Sequence, residues 1–253
     1  SADSRLPSRA FVYDMRKYVE ETKWGPWLSG EDGSINWMHL WHLIDVLRHN
    51  AHERASDDIP NTSIEYLRAH SAPKSEDEPE NQWNDWAGVQ GIWLRAVSFM
   101  DYRDLHAYNF SSTSNGAYST AIFENANFAE AFRLIKSYFT ITKMDEVGPP
   151  GYPHRPTIYF VGDTALPNHP TDLGTHRITK GSVCMTKSVG GHSWASEGVQ
   201  LGNVQSRAGV VGVWSSADHE DGDPAGKETA LYQKIWLVLN STTGPFWLWK
   251  SSE

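Results

Sequence analysis

The sequence has a single cysteine, Cys184, in 253 residues. No intramolecular disulfide is possible, so the fold must rest on a packed core, which a chain of this length can build unaided. Scarcity of cysteine also suits a reducing compartment, and a cytoplasmic location is the expectation. Positive charge is sparse too: 22 Lys and Arg stand against 31 Asp and Glu, a formal net charge of −9. That balance disfavours a general nucleic-acid binder, which needs a concentrated basic surface. No apolar run approaches the roughly 20 residues of a membrane span. Ser1 to Arg9 is polar and lacks the apolar core of a signal peptide. Nucleophile elbows, phosphate loops, dinucleotide fingerprints and paired-cysteine zinc motifs are all missing, so neither a cofactor nor a metal is expected.

Aromatic side chains, by contrast, are abundant: 12 Trp, 10 Tyr and 9 Phe. Each tryptophan brings a large apolar area and one N–H that needs a partner when buried. Such a composition serves either a bulky core or a pocket with aromatic walls.

The periodicity changes along the chain. The stretch Phe11 to Val19 reads as a short helix, and Trp24-Gly25-Pro26-Trp27 as a turn. The clearest helix spans 34–50, with Ser34 or Asn36 as cap. Trp37, Leu40, Trp41, Ile44 and Leu47 recur at helical spacing and are expected to form its buried face. His42, Asp45 and His49 lie opposite; they match no zinc signature and read as a polar face. Residues 55–82, with Glu76-Asp77-Glu78-Pro79-Glu80, read as a solvated loop.

From Trp83 onward short strands take over. Ile92 to Met100 alternates, with Trp93, Arg95, Val97 and Phe99 on one side and Ile92, Leu94, Ala96 and Ser98 on the other. Further strands are expected over 132–142, 157–162, 199–202, 209–214 and 246–249, with a hairpin around Val189-Gly190-Gly191. Glycines at Gly198, Gly202, Gly209 and Gly212 suit the bends of a barrel. The expected fold is therefore mostly β with some α: an antiparallel β-barrel over 83–253 and an N-terminal helical segment, 1–82, packed against it as one unit. His219, in Asp218-His219-Glu220-Asp221, reads as part of an acidic loop, and Cys184 as a buried strand thiol.

Several segments, in order, resemble a large family of fungal F-box proteins. They are Tyr13-Asp14-Met15-Arg16 with Trp24-Gly25-Pro26-Trp27; Asn36-Trp37-Met38-His39; and Gly88 to Arg95 with Asp101 to Leu105 and Tyr108-Asn109-Phe110. Ile158 to Gly162, Gly181-Ser182-Val183, and Glu197 to Gly202 running on to Gly212-Val213-Trp214 follow, and Gly244-Pro245-Phe246-Trp247 ends the set. The resemblance covers most of 11–250 and corresponds to the region after the F-box. That region is similar to the β-barrel of the mammalian F-box protein that recognises D-type cyclins, the substrate receptor of a cullin ubiquitin ligase. Only Ser1 to Ala10 precede Phe11, so adaptor binding through an F-box is not expected of this chain. Lys227 to Thr243, with Ile235-Trp236-Leu237-Val238-Leu239, stands as an insert relative to the family pattern.

A barrel with aromatic walls and few polar groups suits an apolar small molecule held by one or two hydrogen bonds. Arg95 and Arg207 are the candidate catalytic residues, each able to polarise a ligand oxygen; taken singly, each reads first as a structural ion pair, with Glu197 or Asp101 for instance. Trp93, Tyr102, Asn109, Gln200 and Trp214 are the candidate ligand-binding residues. The functional expectation is a cofactor-independent cyclase or isomerase, a pericyclase of Diels–Alder type for example, acting on a fungal terpenoid or polyketide. The alternative is the substrate-recognition domain of an F-box-type ubiquitin ligase, binding a peptide degron.

Overall fold

A computed structural model describes residues 5–30, 33–53, 85–110, 118–164, 176–179, 182–189, 192–202, 204–206, 208–216 and 243–251. Among these residues three α-helices run over Leu6–Val12 (α1), Trp37–Glu53 (α2) and Tyr102–Phe110 (α3). Eight strands follow: Gly91–Met100 (β1), Glu130–Met144 (β2), Ile158–Thr164 (β3), His176–Thr179 (β4), Ser182–Val189 (β5), His192–Gln200 (β6), Val210–Ser216 (β7) and Gly244–Lys250 (β8). Each pairs antiparallel with its successor, and β8 returns to β1, so the sheet closes into a barrel. Closure leaves no open edge. The expected loop at 55–82, the insert, the acidic loop with His219, and Arg207 lie outside the described residues.

Alternation sorts the side chains of β1, β7 and β8 between two cores. Trp93, Val97, Val210, Phe246 and Leu248 point into the barrel and meet Phe139, Ile141, Ile158 and Phe160. Ala96, Met100, Val211, Val213, Trp247 and Trp249 point outward, where α1, α2 and the 11–27 segment cover them. The β1 alternation expected from sequence is the observed one. The first helix, however, is α1 at Leu6–Val12, opened by Pro7 in its first turn, and the chain past it turns through short 3₁₀ segments instead. Helix α3 is an addition that the strand-dominated reading did not include.

Helix α2 corrects the expected core face. Leu40, Leu43, Val46, Leu47 and Ala51 are buried, whereas Trp37 is 66% and Trp41 62% exposed. Apolar residues occupy more than half of the helix circumference, so periodicity alone admits two faces. The sheet supplies the reason for the choice: its outer surface already carries the indoles of Trp247 and Trp249, so aliphatic side chains fill the remaining gap at close helix–sheet approach.

Polar ties fix the helices on this surface. Arg9 Nε donates to Glu130 Oε2 at 2.7 Å, and the Tyr13 hydroxyl donates to Glu130 Oε1 at 2.7 Å, joining α1 to the start of β2. Asn50 donates to Ser98 Oγ at 3.0 Å and accepts from Arg5 at 3.2 Å. The Tyr18 hydroxyl has one proton, which goes to the Val12 carbonyl at 2.5 Å. Its contact with His39 Nε2 at 3.0 Å is therefore made by an Nε2–H donor. Burial holds His39 neutral, with its pKa lowered to about 3.

Two outcomes follow for stability. Leu43→Ala should cost about 2–5 kcal/mol, whereas Trp41→Ala should stay within about 0.5 kcal/mol; denaturant unfolding compares the two. The unfolded chain binds a proton at His39 as pH falls through its ordinary value, while the folded chain resists until about pH 3. Stability should therefore fall with decreasing pH across that window, at up to about 1.4 kcal/mol per pH unit from this group. In His39→Gln, which keeps an N–H for Tyr18, that share of the slope should vanish in parallel melts.

Candidate site at the barrel mouth

The two ends of the barrel differ. At the end where β1 begins, Trp93 stacks on Phe139 with centroids 5.8 Å apart, and Phe139 contacts Phe160 at 4.9 Å. The Trp93 N–H donates to the Val89 carbonyl at 2.6 Å. Asp85 accepts from the backbone N–H groups of Val89 and Gln90, and Gln205 donates to the carbonyls of Asp85 and Trp86. Lys250 donates to the Gly88 carbonyl at 3.1 Å. The 85–90 turn thus covers this end over a packed aromatic core.

The other end carries half-buried aromatics. Phe99 meets Trp214 edge-to-face at 5.9 Å, and Trp214 meets Trp194 at 5.3 Å. The Trp214 N–H is buried and finds no hydrogen-bond partner among the described residues; it lies against Gly244, where an added Cβ would come within 3.1 Å of it. Trp214 accordingly offers the mouth apolar ring surface rather than a donor.

Arg95 lies between these regions. Its Nη2 donates to Ser196 Oγ at 2.7 Å, and its guanidinium sits 4.9 Å from the Phe246 ring centroid. β1 and β6 are separated by β8 and β7 in the barrel order, so Arg95 reaches across the lumen to the far wall. Small residues make this possible. Gly198 and Gly212 pair on the inner face, and a Cβ at Gly198 would come within 2.8 Å of Phe246 Cζ. The Phe246 ring therefore lies flat along the wall, under the guanidinium. Glu197, one of the ion-pair partners considered from sequence, faces outward opposite Val213, and Asp101 pairs with Arg103.

The remaining candidates separate. Gln200 faces inward opposite Val210, near the plugged end, and Trp93 belongs to that end's packed core. Tyr102 opens α3 outside the barrel and packs near His106, with centroids 6.0 Å apart. Asn109 is a structural clamp: it accepts from the Met15 N–H and donates to the carbonyls of Tyr13 and Leu105. Of the candidates within the described residues, Arg95 and Trp214 come together. Ser196, Val97, Phe99, Trp194 and Arg133 complete their surroundings, and their inward phase could have been found by extending the period-two alternation of each strand.

Other chemistry-bearing clusters do not form sites. Ser8, His42 and Asp45 touch, but the Ser8 hydroxyl donates to Asp45 at 2.7 Å and stands 3.1 Å from His42 Nδ1. A serine between the acid and the imidazole is not activated by the imidazole, since the base must be the middle member. Burial lowers the His42 pKa, Asp45 opposing the shift in part. Among the described residues no group of His, Cys, Asp and Glu could hold a metal ion, and no helix is long and apolar enough to cross a membrane. No known protein family, curated protein or solved structure matches the chain.

The glycine requirement is testable. At Gly212 a Cβ would lie 2.0 Å from the Glu197 carbonyl oxygen, a backbone atom, whereas at Gly198 it meets side-chain atoms at 2.8 Å. Gly212→Ala should lower stability by about 1–3 kcal/mol or more, and by more than Gly198→Ala, in equilibrium unfolding.

Proposed function

We propose that the barrel mouth binds an apolar, oxygen-bearing small molecule, and that Arg95 donates to its oxygen. The observation that supports this most is a guanidinium set inside a ring of aromatic side chains, over Phe246 and level with Trp214. Ser196 is neutral, so a ligand oxygen that displaces its hydroxyl from Nη2 separates no charges at that contact. In these water-poor surroundings a donor aimed at developing negative charge acts strongly. Rings on several strands would hold a flexible apolar chain folded, which lowers the entropic part of a barrier. Cofactor-free cyclisation or isomerisation conserves atoms and needs no external electron acceptor, so it suits this equipment. The resemblance to F-box proteins favours a second reading, a receptor that takes a peptide segment into the same mouth.

The test is ligand binding followed by tryptophan fluorescence, since Trp194 and Trp214 line the mouth. Nile red and apolar terpenoid or polyketide extracts should change the emission at micromolar concentration, and Val97→Asp should abolish the change. Where an extract component is turned over, Arg95→Ala should lower the rate by about 10²–10³, the usual loss for one such donor. Arg95→Lys, which keeps the charge and loses the fork, should recover part of it. Tight binding of peptides with no response to any apolar small molecule would replace this reading with the receptor.

A further inference from the structure

We propose that the ligand is an acid, an apolar molecule carrying a carboxylate, and that Arg133 at the rim recognises the carboxylate. The inference rests on the binding reading above and adds the charge of what is bound.

Register places Arg133 on the inner face. Arg133 pairs with Val97 and Ile135 with Arg95, so both arginines share the wall formed by β1 and β2. They are diagonal neighbours, roughly 7–8 Å apart at the backbone and within reach of one ligand. The guanidinium of Arg133 sits 5.5 Å from the Phe99 ring centroid, and Phe99 is the ring that meets Trp214. Arg133 is exposed, and no carboxylate among the described residues pairs with it. By contrast Arg9, Arg16, Arg48 and Arg103 all pair with acids.

The sign of the described part of the wall agrees. Acids outnumber bases 31 to 22 along the chain. Yet the described inward positions of β1, β2, β3, β6, β7 and β8 carry Arg95, Arg133 and Lys250 and no Asp or Glu. Lys250 is occupied at the plugged end by the Gly88 carbonyl, so Arg133 is the exposed inward-facing cation on the mouth side among the described residues. Glu130, the one acid near the rim end of β2, is turned outward to Arg9 and Tyr13. A neutral oxygen gains a single uncharged-acceptor hydrogen bond from such a donor, whereas a carboxylate pairs with the planar fork in two parallel charge-assisted hydrogen bonds. With its head at Arg133, the apolar body would pass over Phe99 and Trp214 toward Arg95.

The experiment compares matched acids and neutral analogues on the full chain by tryptophan fluorescence: decanoate with decanamide, and abietic acid with abietinol. The acid of a pair should bind at least tenfold more tightly, and the preference should shrink as salt is raised. Arg133→Gln should erase the preference, weakening the acid at least tenfold and the neutral analogue by far less, and Arg133→Lys should restore part of it. Equal binding of acid and neutral forms would overturn the anion inference and leave the apolar-mouth reading standing. A preference that survives Arg133→Gln would remove Arg133 from the role. Binding of none of the four would defeat the binding reading itself, and tighter binding of an apolar peptide with a free C-terminal carboxylate would move the site to a protein partner.

Discussion

The indole of Trp247 is the contact on which the two halves of the molecule depend. Its ring is buried between the barrel and the helices, and its N–H donates to the Ala208 carbonyl at 2.7 Å, just before β7. Trp249 meets it edge-to-face at 5.5 Å. On the opposite side of the same strand, Phe246 and Leu248 fill the lumen. Every residue of β8 from Gly244 to Trp249 is buried, which is unusual for an antiparallel strand and follows from having a core on each side. Without the helices, β8 and its neighbours would expose a broad aromatic surface to water. Without the barrel, α2 would have nothing against which to bury its aliphatic stripe.

This two-sided burial explains why the ties between helices and barrel are specific. Arg9 and Glu130 are both nearly inaccessible to solvent. A buried pair of this kind adds little net stability compared with apolar packing, but loss of one partner strands a charge at a cost of about 3–5 kcal/mol. The pair, with Tyr13, therefore selects one seating of α1. Burial, reinforced by Glu130, raises the Tyr13 pKa, so its hydroxyl is held in the protonated, donating form. Asn109 acts in the same way on the next segment, with its amide spent on Met15, Tyr13 and Leu105.

The division of the lumen has the same origin. Large rings pack against one another at one end, and the 85–90 turn closes over them. Toward the other end, glycines on β6, β7 and β8 let Phe246 and Trp214 lie along the wall. Arg95 crosses the middle, and the mouth above it is aromatic and cationic in an acidic chain.

Much of the architecture was legible in the sequence because strands announce themselves locally. The phase of β1, the antiparallel pairing of β5 with β6 and the final Phe246 to Trp249 strand follow from period-two alternation and turn residues, which depend on near neighbours alone. Sequence also determined what the chain could be made of: one cysteine, few bases, many aromatic rings. Tertiary structure decided which rings are buried. Trp37 and Trp41 occupy one possible apolar stripe of α2 and Leu40 and Leu43 another, and only the shape of the sheet beneath selects between them. Tertiary structure likewise decided which polar groups meet. Arg95 and Ser196 are 101 positions apart in the chain and touch because β8 closes onto β1, while Asn109, equally polar in the sequence, is drawn to the backbone of the N-terminal segment. A strand's phase is set by its own pleat, whereas a partner across the lumen is set by closure of the whole barrel, which no local pattern encodes.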